Sequence, residues 1–254
     1  NDPVGQLIGP CSCGISPGAV EWIDSLCKLG LLNYIDAINL HAYNAPPPEK
    51  SKVAESIRQL KAVIRNYNNG KDLDIYCTET GYRSQYGALD RHKDQARWHV
   101  RLATILKGEG VRAHFVFWPF DFSDAENSYG FFFALDKEWT WNLKELSPKA
   151  LVPAMAVCAD QLEGANPIGE LPYFGSDVVA YLFMKEGEPL LAIWSVDNAH
   201  KVALRVSEKD SDAQQLDIVD IMGELRKVPA KDGLATLEVS PSILYVKGLS
   251  NELY

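Results

Sequence analysis

The chain has 254 residues, 46% of them apolar, which is enough for one large buried core or for two of ordinary size. It carries 34 acidic against 25 basic side chains, a formal net charge of −9, and no run of Lys or Arg. That balance argues against nucleic acid or an anionic membrane as the main partner and favours a neutral or small-molecule ligand, and no apolar run reaches the ~18–20 residues of a membrane span.

The opening residues, NDPVGQL, show neither a basic segment with an apolar core nor an initiating Met, so the start reads as a fragment or a processed end. The first two thirds then alternate short apolar runs with amphipathic stretches, the pattern of strand and helix units. QLIGP (6–10) precedes a helix over about 19–29, with Ser16 as its cap, Pro17 in its first turn and Gly30 at its end. AINLHAY (37–43) precedes a helix over about 52–67, in which Val53, Ile57, Leu60 and Ile64 recur at helical spacing. DIYCTE (74–79) leads to a helix near 93–107. AHFVFW (113–118) leads, after an aromatic loop, to one that starts at Ser147-Pro148 and ends near Gly164.

Apolar strands every 30–40 or so residues, each followed by a helix, imply a parallel sheet covered by helices. A doubly wound sheet and part of a barrel both satisfy this pattern, and both place ligands at the C-terminal ends of their strands. His41, Tyr43, Glu79, Trp118 and Asp121 fall at those ends. Beyond about Gly164 to Pro172 the helical period stops. VVAYLFM, PLLAIWSV, KVALRV, LDIVDIMG, ATLEV and SILYVKG, separated by turn signals, read as an antiparallel sandwich.

The five cysteines, Cys11, Cys13, Cys27, Cys77 and Cys158, have no zinc-like pairing and an odd count, and read mainly as small buried apolar residues. The five histidines show no metal spacing, so neither a metal nor another cofactor is expected. Glu79 lies in LDIYCTETGY, flanked by Thr78 and Thr80, with Gly81 allowing a sharp turn just after it. A carboxylate beside Trp118, His41 and Tyr43 suits a sugar, whose C–H faces stack on aromatic rings while its hydroxyls meet polar groups. Tyr82, Arg83, Asp121 and Trp139 or Trp141 are loop candidates for further sugar contacts.

In this order, IDAINLHAY, DIYCTETGY and FVFWPFDF resemble strands six, seven and eight of the clan A retaining glycoside hydrolases, (β/α)8 barrels with catalytic glutamates after strands four and seven. DPVGQLIGP is similar to their fifth strand and SPKALVPAMAVCADQL to their eighth helix, so the resemblance covers about residues 2–163. Family 39 and family 5-like members are nearest. The resemblance implies a fold in which residues 1–165 are the C-terminal half of a TIM (β/α)8 barrel, units 5–8, and 166–254 a small appended β-sandwich domain. It implies Glu79 as the nucleophile of a retaining hydrolysis of β-linked glycosides, with His41, Tyr43, Tyr82, Trp118 and Asp121 binding the carbohydrate substrate. It leaves the location open, with secretion or the periplasm favoured.

The acid/base glutamate of the clan belongs to an Asn-Glu-Pro motif after strand four. Asn1-Asp2-Pro3 is too close to QLIGP to be a shortened version, since a helix must intervene. The expectation is therefore that a companion N-terminal half-barrel polypeptide, or self-association of two halves, supplies what is missing, because four parallel strands leave two open edges. An acidic group of Asp121, Asp124 and Glu126 is a weaker local source. The competing readings are a non-catalytic carbohydrate-binding or scaffold module, and an unrelated doubly wound α/β protein. The last is disfavoured by the lack of GxGxxG, P-loop and GxSxG signatures.

Overall fold

A computed structural model describes residues 5–86, 89–121, 128–133, 147–207 and 214–250. These fall into two compact units, one within Asn1–Arg91 and Ile105–Ser147, the other within His92–Thr104 and Pro148–Tyr254. No helix among the described residues is long and apolar enough to cross a membrane.

The first unit is built on a four-stranded parallel sheet, β1 (Ile8–Cys13), β2 (Ala37–His41), β3 (Asp74–Thr80) and β6 (Ala113–Val116), in the order β1-β2-β3-β6. Between β3 and β6 lies a short antiparallel pair, β4 (Gln85–Tyr86) and β5 (Leu89–Asp90), which the apolar pattern does not foretell. Helix α1 (Pro17–Lys28) follows β1. It starts where the sequence predicts, with Ser16 Oγ accepting from the Ala19 N–H at 3.3 Å and Pro17 in the first turn, where a missing N–H costs nothing. Helix α2 (Val53–Tyr67) follows β2 and buries Val53, Ile57, Leu60 and Ile64, the stripe read from the spacing. Strand β1 extends three residues past the expected Pro10, so Cys11 and Cys13 lie on it. Those two thiols are exposed whereas Cys27, Cys77 and Cys158 are buried, so the reading as mainly small buried apolar residues holds for three and not for Cys11 and Cys13; all five are free.

The two faces of this sheet differ. Ile38, Leu40, Ile75 and Cys77 point to one side and are essentially fully buried, together with the apolar stripes of α1 and α2. The alternate residues Asn39, His41, Tyr76 and Thr78 are only half-buried, and Phe115 on β6 is 56% exposed. Among the described residues β1 pairs only with β2, and β6 only with β3, so both edges of the sheet carry unpaired backbone groups.

On β6, the ring of His114 has its Nε2 buried with no hydrogen-bond partner, and burial alone pushes its pKa down to about 4. The sign follows from linkage. The unfolded chain binds this proton below about pH 6.5 and the folded one does not until about 4, so stability present at neutral pH is lost as the pH falls through that window, by up to about 3 kcal/mol. His114→Phe is therefore expected to flatten the fall of the urea midpoint between pH 7 and 4; an unchanged slope would contradict this assignment.

The second unit carries α3 (His92–Gly108) over its first part, α4 (Leu151–Leu162), and a six-stranded antiparallel sheet. That sheet runs β12-β11-β14-β9-β8-β7, from β7 (Asn166–Glu170), β8 (Val178–Lys185), β9 (Glu188–Ser195), β11 (Gln215–Asp220), β12 (Leu225–Pro229) and β14 (Leu244–Lys247). Strands β10 (His200–Arg205) and β13 (Leu234–Val239) form a separate antiparallel pair. Val202, Leu204, Ala235 and Leu237 of this pair share one apolar core with Leu182, Leu191, Ile193, Ile218 and Val246 of the larger sheet.

Strand β9 is buried on both faces, because its other side, with Trp194 stacked on Tyr181 at 6.2 Å, is also covered. Arg101 of α3 donates through Nη2 to the carbonyls of Ser195 and Val196, and Lys185 on β8 donates to the carbonyls of Asp160 and Gln161 at the end of α4. These bonds are why α4 and the start of α3 cluster with the antiparallel strands, so the contact division departs from a cut by chain order at residue 165. The sequence reading also passes over β7 and β12, edge strands with mostly exposed residues and hence no apolar alternation to see.

Candidate active site

The first unit gathers its polar and aromatic side chains at the C-terminal ends of β2, β3 and β6. Strand register does the first part of the work: Cys13, His41 and Glu79 are successive lateral neighbours across β1, β2 and β3. Main-chain and side-chain bonds then lace the strand ends together. The Ala42 N–H donates to the Glu79 carbonyl at 3.1 Å, the buried Thr80 hydroxyl donates to the Ala42 carbonyl at 2.8 Å, and the Phe117 N–H donates to the Thr80 carbonyl at 2.7 Å. The Asn44 side-chain amide continues the pairing beyond β1 and β2, accepting from the Ile15 N–H at 3.0 Å and donating to its carbonyl at 2.6 Å.

Glu79 is the focus. Its side chain is 37% exposed, its Oε1 accepts a 2.5 Å hydrogen bond from the Tyr43 hydroxyl, and its Oε2 lies 3.8 Å from Nδ1 of His41. The other nitrogen of His41 is 3.2 Å from Thr78 Oγ1, and Thr78 itself donates to Asn39 Oδ1 at 2.8 Å. Since the Thr78 proton is committed to Asn39, the His41 Nε2 is the donor to Thr78, which leaves Nδ1 facing the carboxylate. Tyr43 is held as a proton donor: burial first, and then its bond to Glu79, push the phenol well above its ordinary pKa. The Cys11 thiol is likewise pushed up, by partial desolvation and then by the negative charge of Glu79, both of which favour its neutral form.

Around Tyr43 sits an aromatic group. Tyr43 meets Phe117 at 6.5 Å and Tyr129 at 6.2 Å between ring centroids, Phe117 and Tyr129 meet at 5.9 Å, and all three contacts are edge to face. Trp118 is half-buried beside Phe117, 5.2 Å between ring centroids, and the peptide joining them is cis.

Glycines make this closeness possible. A Cβ on Gly81 would stand 2.6 Å from the Phe117 carbonyl oxygen and 2.8 Å from the Tyr129 ring. One on Gly130 would stand 2.2 Å from the Asp121 nitrogen and 2.3 Å from the Phe120 carbonyl carbon.

Of the residues named from sequence, the structure brings His41, Tyr43 and Glu79 into direct contact and sets Trp118 at the edge of the same aromatic group. Tyr82 is 2% exposed and packed inside rather than presented to solvent. The Asp121 carboxylate accepts the Gly130 N–H at 2.8 Å, and its own N–H donates to the Phe132 carbonyl, so it fastens a chain crossing. Trp139, Trp141, Asp124, Glu126 and Asn1-Asp2-Pro3 lie outside the described residues. Sequence reasoning missed Tyr129, whose only local signal is the following Gly130, and it missed Thr78 and Asn39 as the partners that orient His41. Among the described residues no three His, Cys, Asp or Glu side chains gather as a metal-ligating group.

A half-open carboxylate with one oxygen fixed by a phenol and the other free toward an imidazole is equipped to act as a nucleophile or as a base. By sequence, the chain matches no protein-family model and no curated protein. By structure it is similar to several solved glycoside hydrolases. Over 92% of this chain and 49% of the other, it superposes on a family 39 glycoside hydrolase from the gut symbiont Bacteroides cellulosilyticus WH2, with a TM-score of 0.73 and 18% identity. A GH51 arabinofuranosidase from Xanthomonas axonopodis pv. citri matches over 97% and 59%, with a TM-score of 0.62 and 12% identity. A GH30 endoxylanase from Clostridium papyrosolvens C71 matches over 98% and 57%, with a TM-score of 0.57 and 10% identity. At these identities the fold is what is shared, and the chain spans about half the length of the structures it matches.

Proposed function

We propose that this chain is the C-terminal part of a clan A glycoside hydrolase, units 5–8 of a (β/α)8 barrel followed by a β-sandwich, that cleaves β-linked glycosides with retention through Glu79. The observation that carries the reading is the 2.5 Å bond from Tyr43 to Glu79 at the C-terminal edge of a parallel sheet whose strands are neighbours in chain order. A doubly wound sheet reverses direction at a switch point and breaks that order, whereas successive barrel strands keep it.

In this reading Oε2 of Glu79, the oxygen not held by Tyr43, attacks the anomeric carbon. The bond to the leaving oxygen breaks as a general acid protonates it. Water, deprotonated by the conjugate base of that acid, then displaces Glu79 from the glycosyl-enzyme, and the two inversions give net retention. Trp118 offers a ring for the sugar's C–H face, and His41, held through Nε2 by Thr78, lines the site beside the carboxylate. The acid/base is a carboxyl group carried by the first four βα units. A companion half-barrel, or a second copy of this half, would also cover the open edges of β1 and β6 and the half-buried sheet face.

Proton NMR of the first-formed anomer from an aryl β-glycoside tests the reading in the full-length protein. A β-anomer that then mutarotates is expected; an α-anomer would exclude retention, and saturable sugar binding without turnover would favour a non-catalytic module. Tyr43→Phe removes one hydrogen bond to a charged group, about 1.5–3 kcal/mol. The expected fall in kcat/KM is about 10- to 150-fold.

A further inference from the structure

We propose that Tyr129 is a positioning residue for Glu79 that acts through Tyr43, with Arg83 fixing its hydroxyl. The inference rests on the reading of Glu79 as nucleophile and adds to it a residue far away in sequence, contributed by the segment that crosses over the loop after β3.

Tyr43 reaches Glu79 at the end of a long side chain, so a small swing about its Cα–Cβ bond is enough to open the 2.5 Å bond. Its hydroxyl is occupied by Glu79, and what limits the ring is what packs against it. His41 and Phe117 belong to strand ends that already carry the site, at 6.4 and 6.5 Å between ring centroids. Tyr129 is the third wall, 6.2 Å away at an interplanar angle of 85°, and it also braces Phe117.

The backbone around Tyr129 is clamped on both sides. Before it, the Ser128 carbonyl accepts from the Ser84 N–H at 2.9 Å, and Ser128 Oγ accepts from the Gln85 N–H at 2.9 Å. After it, the Gly130 N–H donates to Asp121 Oδ1 at 2.8 Å, and the Phe132 N–H donates to the Pro119 carbonyl at 3.1 Å. Glycine at 81 lets the ring come within contact of the chain just past Glu79, where any Cβ would collide with it.

The Tyr129 hydroxyl accepts from Arg83 Nε at 2.9 Å. The guanidinium carbon is 5.3 Å from the ring centroid, a distance that by itself suggests a cation over the ring face. A group centred over the face at that height would lie well beyond hydrogen-bond reach of the hydroxyl, so we assign Arg83 to the rim. The ring is thus fastened at its hydroxyl by Arg83 and bears on Tyr43 and Phe117 through its aromatic body, which is why tyrosine rather than phenylalanine suits the position.

The test uses Tyr129→Leu, Tyr129→Phe, Tyr43→Phe and the double variant Tyr43→Phe/Tyr129→Leu in the full-length protein. The probe is a 2,4-dinitrophenyl β-glycoside, whose leaving group departs without protonation, so that the single-turnover rate of dinitrophenolate release reports attack by Glu79 rather than the acid. Tyr129→Leu is expected to lower the limiting single-turnover rate about tenfold, with the amplitude and the half-saturating substrate concentration little changed. Tyr129→Phe, which keeps the ring and loses the Arg83 bond, is expected to lower the same limiting rate about two- to fivefold, again with amplitude and half-saturating concentration little changed. If the leucine variant does not fold, the phenylalanine variant carries the decision by the same readouts.

The double variant is expected to be no slower than Tyr43→Phe alone, within about twofold, because the effect passes through Tyr43. Losses that multiply in the double variant, or a limiting single-turnover rate that stays in place while only thermal stability falls, would overturn the proposal. Turnover surviving in Glu79→Gln would instead overturn the nucleophile assignment, and the two failures are told apart by that variant.

Discussion

Glu79→Gln in the full-length protein is expected to lower kcat on aryl β-glycosides by on the order of 10⁴-fold or more, with the thermal midpoint little changed. The substitution keeps the shape of the side chain, and the amide oxygen still accepts from Tyr43, so the hydrogen bond that ties β3 to the segment following β2 survives. What is lost is the negative charge and with it the capacity to form a covalent ester with the sugar. Truncation to Glu79→Ala leaves room for a small anion. Azide is expected to restore turnover there and to yield the glycosyl azide of inverted configuration, since it attacks from the face Glu79 has vacated. Wild-type rates in either variant would mean that Glu79 binds or supports the site without reacting.

The second large effect falls on stability. Gly130→Ala is expected to destabilise the protein by about 3 kcal/mol or more, because the added methyl meets main-chain atoms that have no rotamer to escape into. The clash at 2.2 and 2.3 Å is with the backbone of Asp121 and Phe120, and relief requires the two chain segments to separate. Separation breaks the Gly130 to Asp121 bond and the neighbouring bonds of Phe131 and Phe132 to Pro119, and so frees Tyr129. A drop in the urea midpoint accompanied by reduced kcat is the expected pair of results. A variant as stable as wild type would show that this crossing is looser than its geometry.

Much of this was legible in the sequence, for identifiable reasons. The helix α2 stripe and the Ser16-Pro17 start of α1 are local signals, and the structure returns both. His41, Tyr43 and Glu79 can be grouped from sequence because strand ends in a parallel array share one edge, so their mutual approach needs only the strand order. Tyr129 was not found because it belongs to no strand and arrives by a crossing of two loops whose pairing is set by Ser84, Ser128 and two crowded glycines. Tyr82 follows Glu79 closely in sequence, which puts it among the loop candidates, yet it is 2% exposed. Edge strands β7 and β12 carry no alternation, and the grouping of α4 with the antiparallel sheet depends on hydrogen bonds from residues that look like ordinary surface cations, Arg101 and Lys185.

The central claim, that Glu79 is the nucleophile of a covalent step, is tested most directly by trapping. Incubation of the full-length protein with a 2,4-dinitrophenyl 2-deoxy-2-fluoro-β-glycoside, followed by peptic digestion and mass spectrometry, is expected to place one fluoroglycosyl group on the peptide containing LDIYCTETGY, at Glu79. A stable adduct on another carboxylate, or steady turnover of substrate by a protein that forms no adduct at all, would contradict it.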